Sequence, residues 1–197
     1  RFLPHKTQGE GFFLAALRKP EEDREADTDL FSPKKKKSKG DTAASPVSKE
    51  NLAIAKSWLA SSDEYNLLVN GTAITAFPVY YQNDLALLRQ SLRIVQAGME
   101  VAEVKGKDLI PAHGLAMSRL LKTSVFSTEA LTYEQAIAYL RKEAIVLPPS
   151  VPKGYVLVTY KEIPLGFVKN IGNRANNLYP QEWRIRSGYL PDDIRTL

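Results

Sequence analysis

The feature that most constrains this chain is a hairpin pattern between residues 154 and 170. Two largely apolar runs, YVLVTY and IPLGFVKN, stand on either side of the dipeptide Lys161-Glu162. Runs rich in β-branched and aromatic residues around a two-residue turn are typical of paired antiparallel strands. The first run is apolar at successive positions, so both of its faces are expected to be buried. A small closed β-barrel buries strands in this way, and the pattern predicts one here.

The residues before this hairpin indicate helices mixed with strands. Ser48 can cap a helix that runs to about Ser61, because its hydroxyl can accept a hydrogen bond from a free amide of the first turn. YNLLVNGTAITAFP follows and contains Asn70-Gly71, the dipeptide most typical of tight hairpins. We therefore expect two short strands around that dipeptide.

The next stretch continues the same alternation of helix and strand. Asp84 can cap a helix that runs to about Ser91. The stretch LRIVQAGMEVAEVKGKDLIP alternates like two further strands, interrupted at Gly98 and turned at residues 105–107. Residues 49–115 are therefore expected to form a first, small mixed α/β subdomain.

Residues 116–197 are expected to form a second domain around the hairpin. Residues 112–121 look helical, and Thr132 with Gln135 forms a capping box that opens the helix TYEQAIAYLRKEAI. The proline pair at 148–149 is expected to end that helix. Residues 183–186 alternate apolar and basic and are expected to form the last strand. The fold class predicted for the whole chain is α+β.

The first 48 residues differ from the rest. Residues 1–19 contain an apolar run expected to be the last strand of a sheet whose other strands lie upstream of Arg1. Residues 20–48 carry blocks of charge with few apolar residues, which indicates a disordered linker. The lysine run 34–37 could tether RNA phosphates, or it could simply keep the linker in solvent.

Composition narrows the function classes. The chain has 197 residues, a formal net charge of +5 and no cysteine. A basic balance favours an anionic partner without naming one, and the lack of cysteine excludes disulfides and thiol nucleophiles within these residues. No stretch approaches a membrane helix and no signal peptide is recognised, so a cytoplasmic protein without a membrane partner is expected.

Two segments resemble a known family. PHKTQGEGFFLAALRK is similar to the closing strands of the catalytic domain in the Sun-type (Nop/Sun) RNA cytosine-5 methyltransferases. AGMEVAEVKGKDLIPAHGLAMS, YLRKE and GYVLVTYKEIPLGFVKNIGNRANNLYPQEWRI resemble the C-terminal region of the RsmF-like bacterial branch. The resemblance implies a PUA-like RNA-binding β-barrel with flanking helices. The chain departs from the family pattern at Asn176 and Gln181, where the family usually has lysines. This departure puts two phosphate contacts in doubt.

The resemblance implies that the parent protein uses S-adenosylmethionine and cysteine thiolates to methylate ribosomal RNA. This chain has no cysteine, and Gly9-Glu10-Gly11 precedes a predicted strand rather than a helix, so it is a poor phosphate loop. We therefore expect no catalytic residue, no cofactor and no enzymatic activity in these residues, with the catalytic domain lying upstream of Arg1.

The candidate RNA contacts lie in and after the hairpin, where basic residues alternate with asparagine and glycine. Such side chains suit phosphate and sugar contacts. The alternative is a charged strand edge that only keeps the protein in solution. The predicted contacts are Lys161, Lys169, Asn170, Asn173, Arg174, Asn177, Arg184 and Arg186, with Asn176 as a further candidate.

Aromatic residues and histidines are interpreted as structural. Tyr160, Phe167, Tyr179 and Trp183 could stack on bases, but the strand pattern favours core positions for Phe167 and Trp183. Gly166 and Gly172 could serve either the backbone geometry or a close approach of RNA. His5 and His113 have no partner at metal-ligand spacing, so no metal site is expected.

The main functional hypothesis is a monomeric module that binds ribosomal RNA, in particular that of the small subunit, and positions it for a separate catalytic domain. The rival is a protein-docking module that attaches the enzyme to a ribosomal protein or to its own catalytic domain. The rival predicts binding through apolar side chains with little salt dependence. Whether residues 49–115 contact RNA is left open.

Overall fold

The computed structural model describes residues 47–186, which all lie in one compact unit. The predicted strand in residues 1–19, almost all of the predicted linker and His5 lie outside the described residues. Within the described part, Val47 is buried and Ser48 caps the first helix. No helix of residues 47–186 is long and apolar enough to cross a membrane.

The described chain contains four α-helices, eight strands and four short 3₁₀ helices. The helices are α1 (Lys49–Ser57), α2 (Gln82–Ser91), α3 (His113–Ala116) and α4 (Tyr133–Leu140). The strands are β1 (Tyr65–Asn70), β2 (Ala73–Pro78), β3 (Met99–Lys105), β4 (Asp108–Pro111), β5 (Ser127–Ala130), β6 (Gly154–Tyr160), β7 (Ile163–Asn170) and β8 (Ala175–Asn177). The 3₁₀ helices are Ser62–Glu64, Val79–Tyr81, Thr123–Val125 and Gln181–Trp183.

The first sheet is an antiparallel meander in the order β1-β2-β3-β4. The predicted hairpin of β1 and β2 is present, but Asn70 pairs with Ala73, so the two turn residues are Gly71 and Thr72. Gly71 has φ +60°. A glycine at the first central position matches the twist of the flanking strands.

Three predicted elements around this sheet have different bounds. Helix α2 begins at Gln82, so Asp84 lies in its first turn, where a carboxylate still favours the positive end of the helix dipole. Only the part after Gly98 forms strand β3, and residues 92–98 are irregular. Helix α3 stops at Ala116 because the chain turns to form an isolated bridge between Leu59 and Leu121.

The second sheet has the order β5-β6-β7-β8. Strands β6 and β7 form the predicted hairpin, with Lys161 at φ 48° and Glu162 at φ 66°. Two successive positive φ values are those of a type I′ turn, here made without glycine. Strand β5 runs parallel to β6, with α4 in the connection between them, and it was not predicted from the sequence.

Helix α4 begins as predicted and ends early. The capping box between Thr132 and Gln135 is present in both directions. The helix stops at Leu140 because Lys142 takes φ 66° and its amide bonds to the Tyr139 carbonyl, while the next amide bonds to that of Ala138. This pair of bonds is a Schellman motif. The proline pair at 148–149 therefore lies beyond the helix and does not end it.

The strands of the second sheet form an open sheet rather than the predicted closed barrel, since β5 and β8 each pair with a single strand. The predicted strand at 183–186 is also wrong. Residues 181–183 form a 3₁₀ helix after Pro180, and Ile185 donates its amide to the Leu140 carbonyl. That bond ties the segment to the end of α4 instead of to a strand edge.

Two hydrophobic clusters explain why β6 is apolar at successive positions. Val156 and Val158 pack in a cluster with Tyr139 of α4. Leu157 and Phe167 pack in the other cluster, with residues of α1 and the first sheet. The hairpin of β6 and β7 is therefore covered on both faces although the sheet is open. The predicted α+β fold is confirmed.

Candidate nucleic-acid interface

The structure distributes the predicted RNA contacts along the second sheet instead of gathering them in one place. Lys161 lies at the turn of the β6-β7 hairpin, and its ammonium group lies 5.7 Å from the Tyr160 ring centroid. Arg174 lies just beyond the opposite end, since Gly154 of β6 pairs with Asn170 of β7. At about 3.3 Å per strand residue, these two ends are roughly 20 Å apart.

The side-chain amides of Asn170 and Asn177 are used within the fold. The Asn170 amide donates to the carbonyls of Val151 and Pro152, at 3.0 and 3.1 Å, and its oxygen accepts from the Gly172 amide at 3.0 Å. Asn170 is 5% exposed. Such a buried, fully bonded amide fixes the loop around it and has little capacity left for RNA.

Asn177 has a similar set of bonds at the end of α4. Its amide donates to the carbonyls of Tyr139 and Glu143, at 2.8 and 2.9 Å, and its oxygen accepts from the Tyr179 amide at 2.9 Å. The Tyr139 carbonyl also accepts from the Lys142 amide, so the two Asn177 bonds reinforce the turn that ends α4. Asn177 thus joins β8 to the C-terminus of α4.

Lys169 is engaged with the first sheet. Its ammonium group lies 2.6 Å from a carboxylate oxygen of Asp108 and 5.5 Å from the Tyr155 ring centroid. The hydrogen bond to Asp108 raises the pKa of Lys169 above its ordinary value. Lys169 is therefore a cation that already has a partner, and a phosphate would have to compete with Asp108 for it.

A group that we call the loop cluster consists of Asn173 and Arg174, in the loop between β7 and β8, and Lys153, which directly precedes β6. All three residues are exposed. Gly172 has φ +105°, and a Cβ added there would lie 2.9 Å from Cε of Lys153, which places that lysine against the loop. Lys153 was missed by the sequence reasoning, although the hairpin register alone places it near residues 171–174.

Arg184 and Arg186 are exposed on the segment that follows the last 3₁₀ helix. The amide of Ile185 between them bonds to the Leu140 carbonyl at 3.0 Å, so the two side chains stand beside the end of α4. Lys142 lies at the same end and donates to the Tyr179 carbonyl. Partial burial lowers the pKa of Lys142, and nearby Glu182 opposes that shift.

A groove of about 910 Å³ lies between strands β3 and β4 and the segment 178–183. Its lining includes Glu100, Lys105, His113, Lys142, Leu178 and Trp183. Trp183 is 62% exposed, so the interpretation of this residue as core is wrong. Phe167 is 1% exposed, and the same interpretation is confirmed for it.

His113 forms the inner wall of this groove. Its ring packs edge to face against Tyr179 and Trp183, with centroids 5.1 and 5.3 Å away. Its Nδ1 is buried and has no hydrogen-bond partner among the described residues. Burial lowers the pKa of His113, so the ring is neutral at neutral pH. This position agrees with the structural role expected for His113.

Gly166 is required by the packing beneath His113. It has φ +145°, and a Cβ there would overlap the Tyr139 hydroxyl oxygen and lie 2.9 Å from Nδ1 of His113. The Tyr139 side chain is fully buried, and its hydroxyl donates to the Phe167 carbonyl at 3.2 Å. Of the two roles considered for Gly166, the backbone geometry at positive φ is observed, and close packing against Tyr139 and His113 is a further reason for glycine that was not considered.

The exposed basic side chains of this region have the chemistry of a binding surface. Within residues 47–186, no three side chains of histidine, aspartate or glutamate gather as a metal site would require. Exposed guanidinium groups at Arg174, Arg184 and Arg186 are suited to phosphate oxygens. The groove beside them adds the exposed ring of Trp183, which the sequence analysis considered for base stacking but assigned to the core because it placed this residue in a strand.

Part of this chain is similar in sequence to a known family of domains. Residues 126–185 match the family model described as the Methyltransferase RsmF PUA domain. The chain is 28% identical over 195 residues to the ribosomal RNA small subunit methyltransferase F of Enterobacter sp. (strain 638), covering 95% of this chain and 37% of that protein. It is 27% identical over 186 residues to the protein of that name from Shewanella piezotolerans, covering 91% of this chain and 36% of the relative.

A third relative, the ribosomal RNA small subunit methyltransferase F of Shigella boydii, is 27% identical over 95% of this chain and 38% of its own length. The chain thus spans a little over a third of the length of these relatives. The matched residues 126–185 contain β5, α4 and the whole β6-β7-β8 sheet. The predicted resemblance is confirmed: residues 126–185 are similar to the PUA domain of the RsmF-type methyltransferases.

Proposed function

We propose that this chain binds ribosomal RNA through its PUA domain and positions the RNA for methylation by the catalytic part of a ribosomal RNA methyltransferase. One observation carries the proposal. The segment that matches the PUA domain, together with the residue that follows it, carries the exposed residues Arg174, Arg184 and Arg186. Within residues 47–186 none of these three forms an ion pair, so their charges remain available for phosphates.

The spacing of the basic groups favours recognition of RNA shape and backbone. The loop cluster and Lys161 lie at opposite ends of a hairpin, roughly 20 Å apart along the strands, and Arg184 and Arg186 lie beside the end of α4. Proteins that contact phosphates and sugars at several separate points position structured RNA without reading its sequence. Base selection would then fall to the catalytic part.

Further features of the proposal rest on the names of the relatives, which give the small ribosomal subunit, and on the expectations from the sequence and its family resemblance, which give the rest. The RNA is that of the small ribosomal subunit, in the cytoplasm, and the protein acts as a monomer. The parent protein uses S-adenosylmethionine to methylate carbon 5 of a cytosine. The present chain has no cysteine to supply a thiolate, so it contributes binding and no chemistry of its own.

A salt titration tests the proposal. The 197-residue chain is titrated into fluorescein-labelled fragments of small-subunit ribosomal RNA, and anisotropy is measured at several salt concentrations. We expect affinity to fall linearly on a log-log plot, with a slope of about 0.7 to 0.9 for each phosphate contact. The double variant Arg174→Gln, Arg184→Gln should lower the slope by about 1.5 units, since two contacts are removed.

The matched control is Lys49→Gln with Arg89→Gln, which removes the same charge from exposed sites on α1 and α2. It should leave the slope close to that of the wild type. Equal losses in the two double variants would mean that net charge alone attracts the RNA. No binding, or binding equal to that of an unrelated acidic polymer, would reject the proposal.

A second candidate function rests on an exposed apolar surface, which we call the α2 surface and which includes Tyr80, Leu88, Leu92 and Val95. Tyr80 is 86% exposed and Val95 is 93% exposed. Apolar patches rimmed by polar residues mark protein contacts, so this surface would dock the chain on the catalytic domain. Val95→Asp should then weaken binding to a separately produced catalytic domain, with little dependence on salt.

A further inference from the structure

Trp183 is held at the surface by contacts that a free surface tryptophan would not need. It closes the 3₁₀ helix Gln181–Trp183, and its amide bonds to the Pro180 carbonyl at 3.2 Å. Its ring packs at 79° to that of His113, with the centroids 5.3 Å apart. The indole is therefore fixed in direction on one side while 62% of the residue remains exposed.

The groove beside this indole is large and has mixed chemistry. Its volume of about 910 Å³ exceeds what one nucleotide fills. Glu100, Glu103 and Glu182 line it with carboxylates, and Lys105 and Lys142 line it with ammonium groups. Carboxylates repel phosphates. They can, however, accept hydrogen bonds from the amino groups of nucleobases.

Glu100 gives independent support for a partner that donates hydrogen bonds. Partial burial raises the pKa of the Glu100 carboxyl, and the charge of Glu103 raises it further. Neither carboxyl forms an ion pair within residues 47–186. A neutral amino group that donates a hydrogen bond here would stabilise these two neighbouring carboxylates without adding another negative charge.

The residues that follow Trp183 add positive charge beside the groove, whose own lining has more carboxylates than ammonium groups. Arg184 and Arg186 are exposed and lie one and three positions after the indole. An aromatic ring followed by basic side chains is the pattern of single-strand binders, in which the base stacks and its phosphate meets the cations. The groove and these arginines together therefore separate a place for a base from a place for its backbone.

We propose that this groove holds an unpaired nucleobase with an exocyclic amino group, stacked on the indole of Trp183, while Arg184 and Arg186 hold the adjoining phosphates. The inference rests on the proposed RNA-binding function and adds a specific subsite to it. Cytosine, adenine and guanine carry such an amino group on their pairing edge, and uracil does not. The groove thus discriminates single-stranded from paired RNA and amino-bearing bases from uracil.

Tryptophan fluorescence gives a readout specific to this subsite. The chain has two tryptophans, and Trp58 is 6% exposed, so the solvent-exposed emission belongs to Trp183. We expect oligocytidylate to quench that component as it binds, and oligouridylate of the same length to quench it less at equal occupancy. In Trp183→Phe the quenching should disappear, because the buried Trp58 is out of reach of the base.

Affinity measurements on the 197-residue chain complete the test. Trp183→Ala should weaken binding of oligocytidylate about ten-fold, as loss of one base-aromatic stack does, and Trp183→Phe should recover most of that loss. Binding to a duplex RNA should be unchanged, and so should the salt slope. Tyr81→Ala is the matched control, since Tyr81 is a 52% exposed aromatic residue outside the groove, and it should have no effect.

The two proposals fail in different ways. Salt-dependent RNA binding that is unaffected by Trp183→Ala, without fluorescence quenching, overturns the nucleobase subsite and leaves the RNA-binding function in place. Equal affinity and equal quenching with oligouridylate also overturn it as stated. If neither RNA binds at any salt concentration, the proposed function fails and the subsite fails with it.

Discussion

The two sheets have the same number of strands and the same sequential order, but they are covered differently. All pairings of the first sheet are antiparallel, whereas the second sheet adds the parallel pair β5-β6 through helix α4. That connection places α4 on one face of β6, while α1 and the first sheet cover the other. The apolar residues on both faces of β6 are thus explained by two covering layers and not by closure of a barrel.

The same difference appears in the space around two glycines. A Cβ added to Gly71, in the β1-β2 turn, would meet no atom within 4 Å. A Cβ added to Gly166, in β7, would overlap the Tyr139 hydroxyl oxygen. Gly71 serves only the turn of its hairpin, whereas Gly166 brings strand β7 against helix α4.

The largest effect is therefore expected for Gly166→Ala. The substitution combines backbone strain at φ +145° with overpacking against Tyr139 and His113. Each of these contributes about 1 to 3 kcal/mol, so we expect the free energy of unfolding to fall by about 3 kcal/mol or more. Urea denaturation followed by circular dichroism measures the loss.

Gly71→Ala is the matched control in the first sheet. Its φ of +60° costs an alanine about 1 to 2 kcal/mol, with no steric overlap to add. A loss for Gly166→Ala no greater than that for Gly71→Ala would mean that the second sheet relaxes to accept the methyl group. The two sheets would then not differ in tightness as described.

A smaller effect is expected for Asn170→Ala. The substitution removes three hydrogen bonds and leaves the carbonyls of Val151 and Pro152 and the amide of Gly172 without that partner. Because the site is buried, we expect a loss of about 2 kcal/mol. Differential scanning calorimetry and urea denaturation should agree on the value.

Asn66→Ala gives the counterpart in the first sheet. Asn66 makes one side-chain bond, to Gln82 at 2.6 Å, in an exposed setting. Exposed positions of this kind change stability by about 0.5 kcal/mol or less. Similar losses for Asn66→Ala and Asn170→Ala would contradict the view that the loop after β7 depends on one buried amide.

Local signals in the sequence predicted those elements whose determinants are local. Thr132 and Gln135 lie three residues apart and form their capping box, and both hairpins follow from strand-like runs around short turns. Strand β5 was missed because its four residues, STEA, carry little strand propensity of their own. They become a strand because β6 offers a partner distant in sequence.

The errors at the candidate site have the same origin. The end of α4 depends on the backbone conformation of Lys142, a residue type that rarely takes positive φ. Trp183 alternates with basic residues as a strand would, yet the segment bonds to Leu140 instead. The groove with His113 was not predictable because its walls come from β3 and β4 and from residues 178–183, which only the tertiary fold brings together.

The smallest effect concerns pH, and it acts where helix α3 meets β7. Burial lowers the pKa of His113 below its ordinary value of 6.5, so the unfolded chain binds this proton more tightly than the folded one. The contribution of the neutral ring to the free energy of unfolding is fully present above about pH 6.5. It is lost as the pH falls toward the pKa of His113 in the folded chain. The loss should be smaller than that for Asn170→Ala, since the ring is only half-buried.

Urea denaturation of the wild type and of His113→Gln between about pH 7.5 and 5 isolates this contribution, because most carboxylates titrate below that range. The variant removes the proton-binding group, so its free energy of unfolding should fall less steeply on acidification, whatever constant loss the lost ring contacts cause. Parallel curves for the two proteins would mean that His113 is solvated enough to be protonated in place. In that case the contact between α3 and β7 would be looser than the packing of His113 beside Gly166 indicates. The tight packing of the second sheet would then not include helix α3.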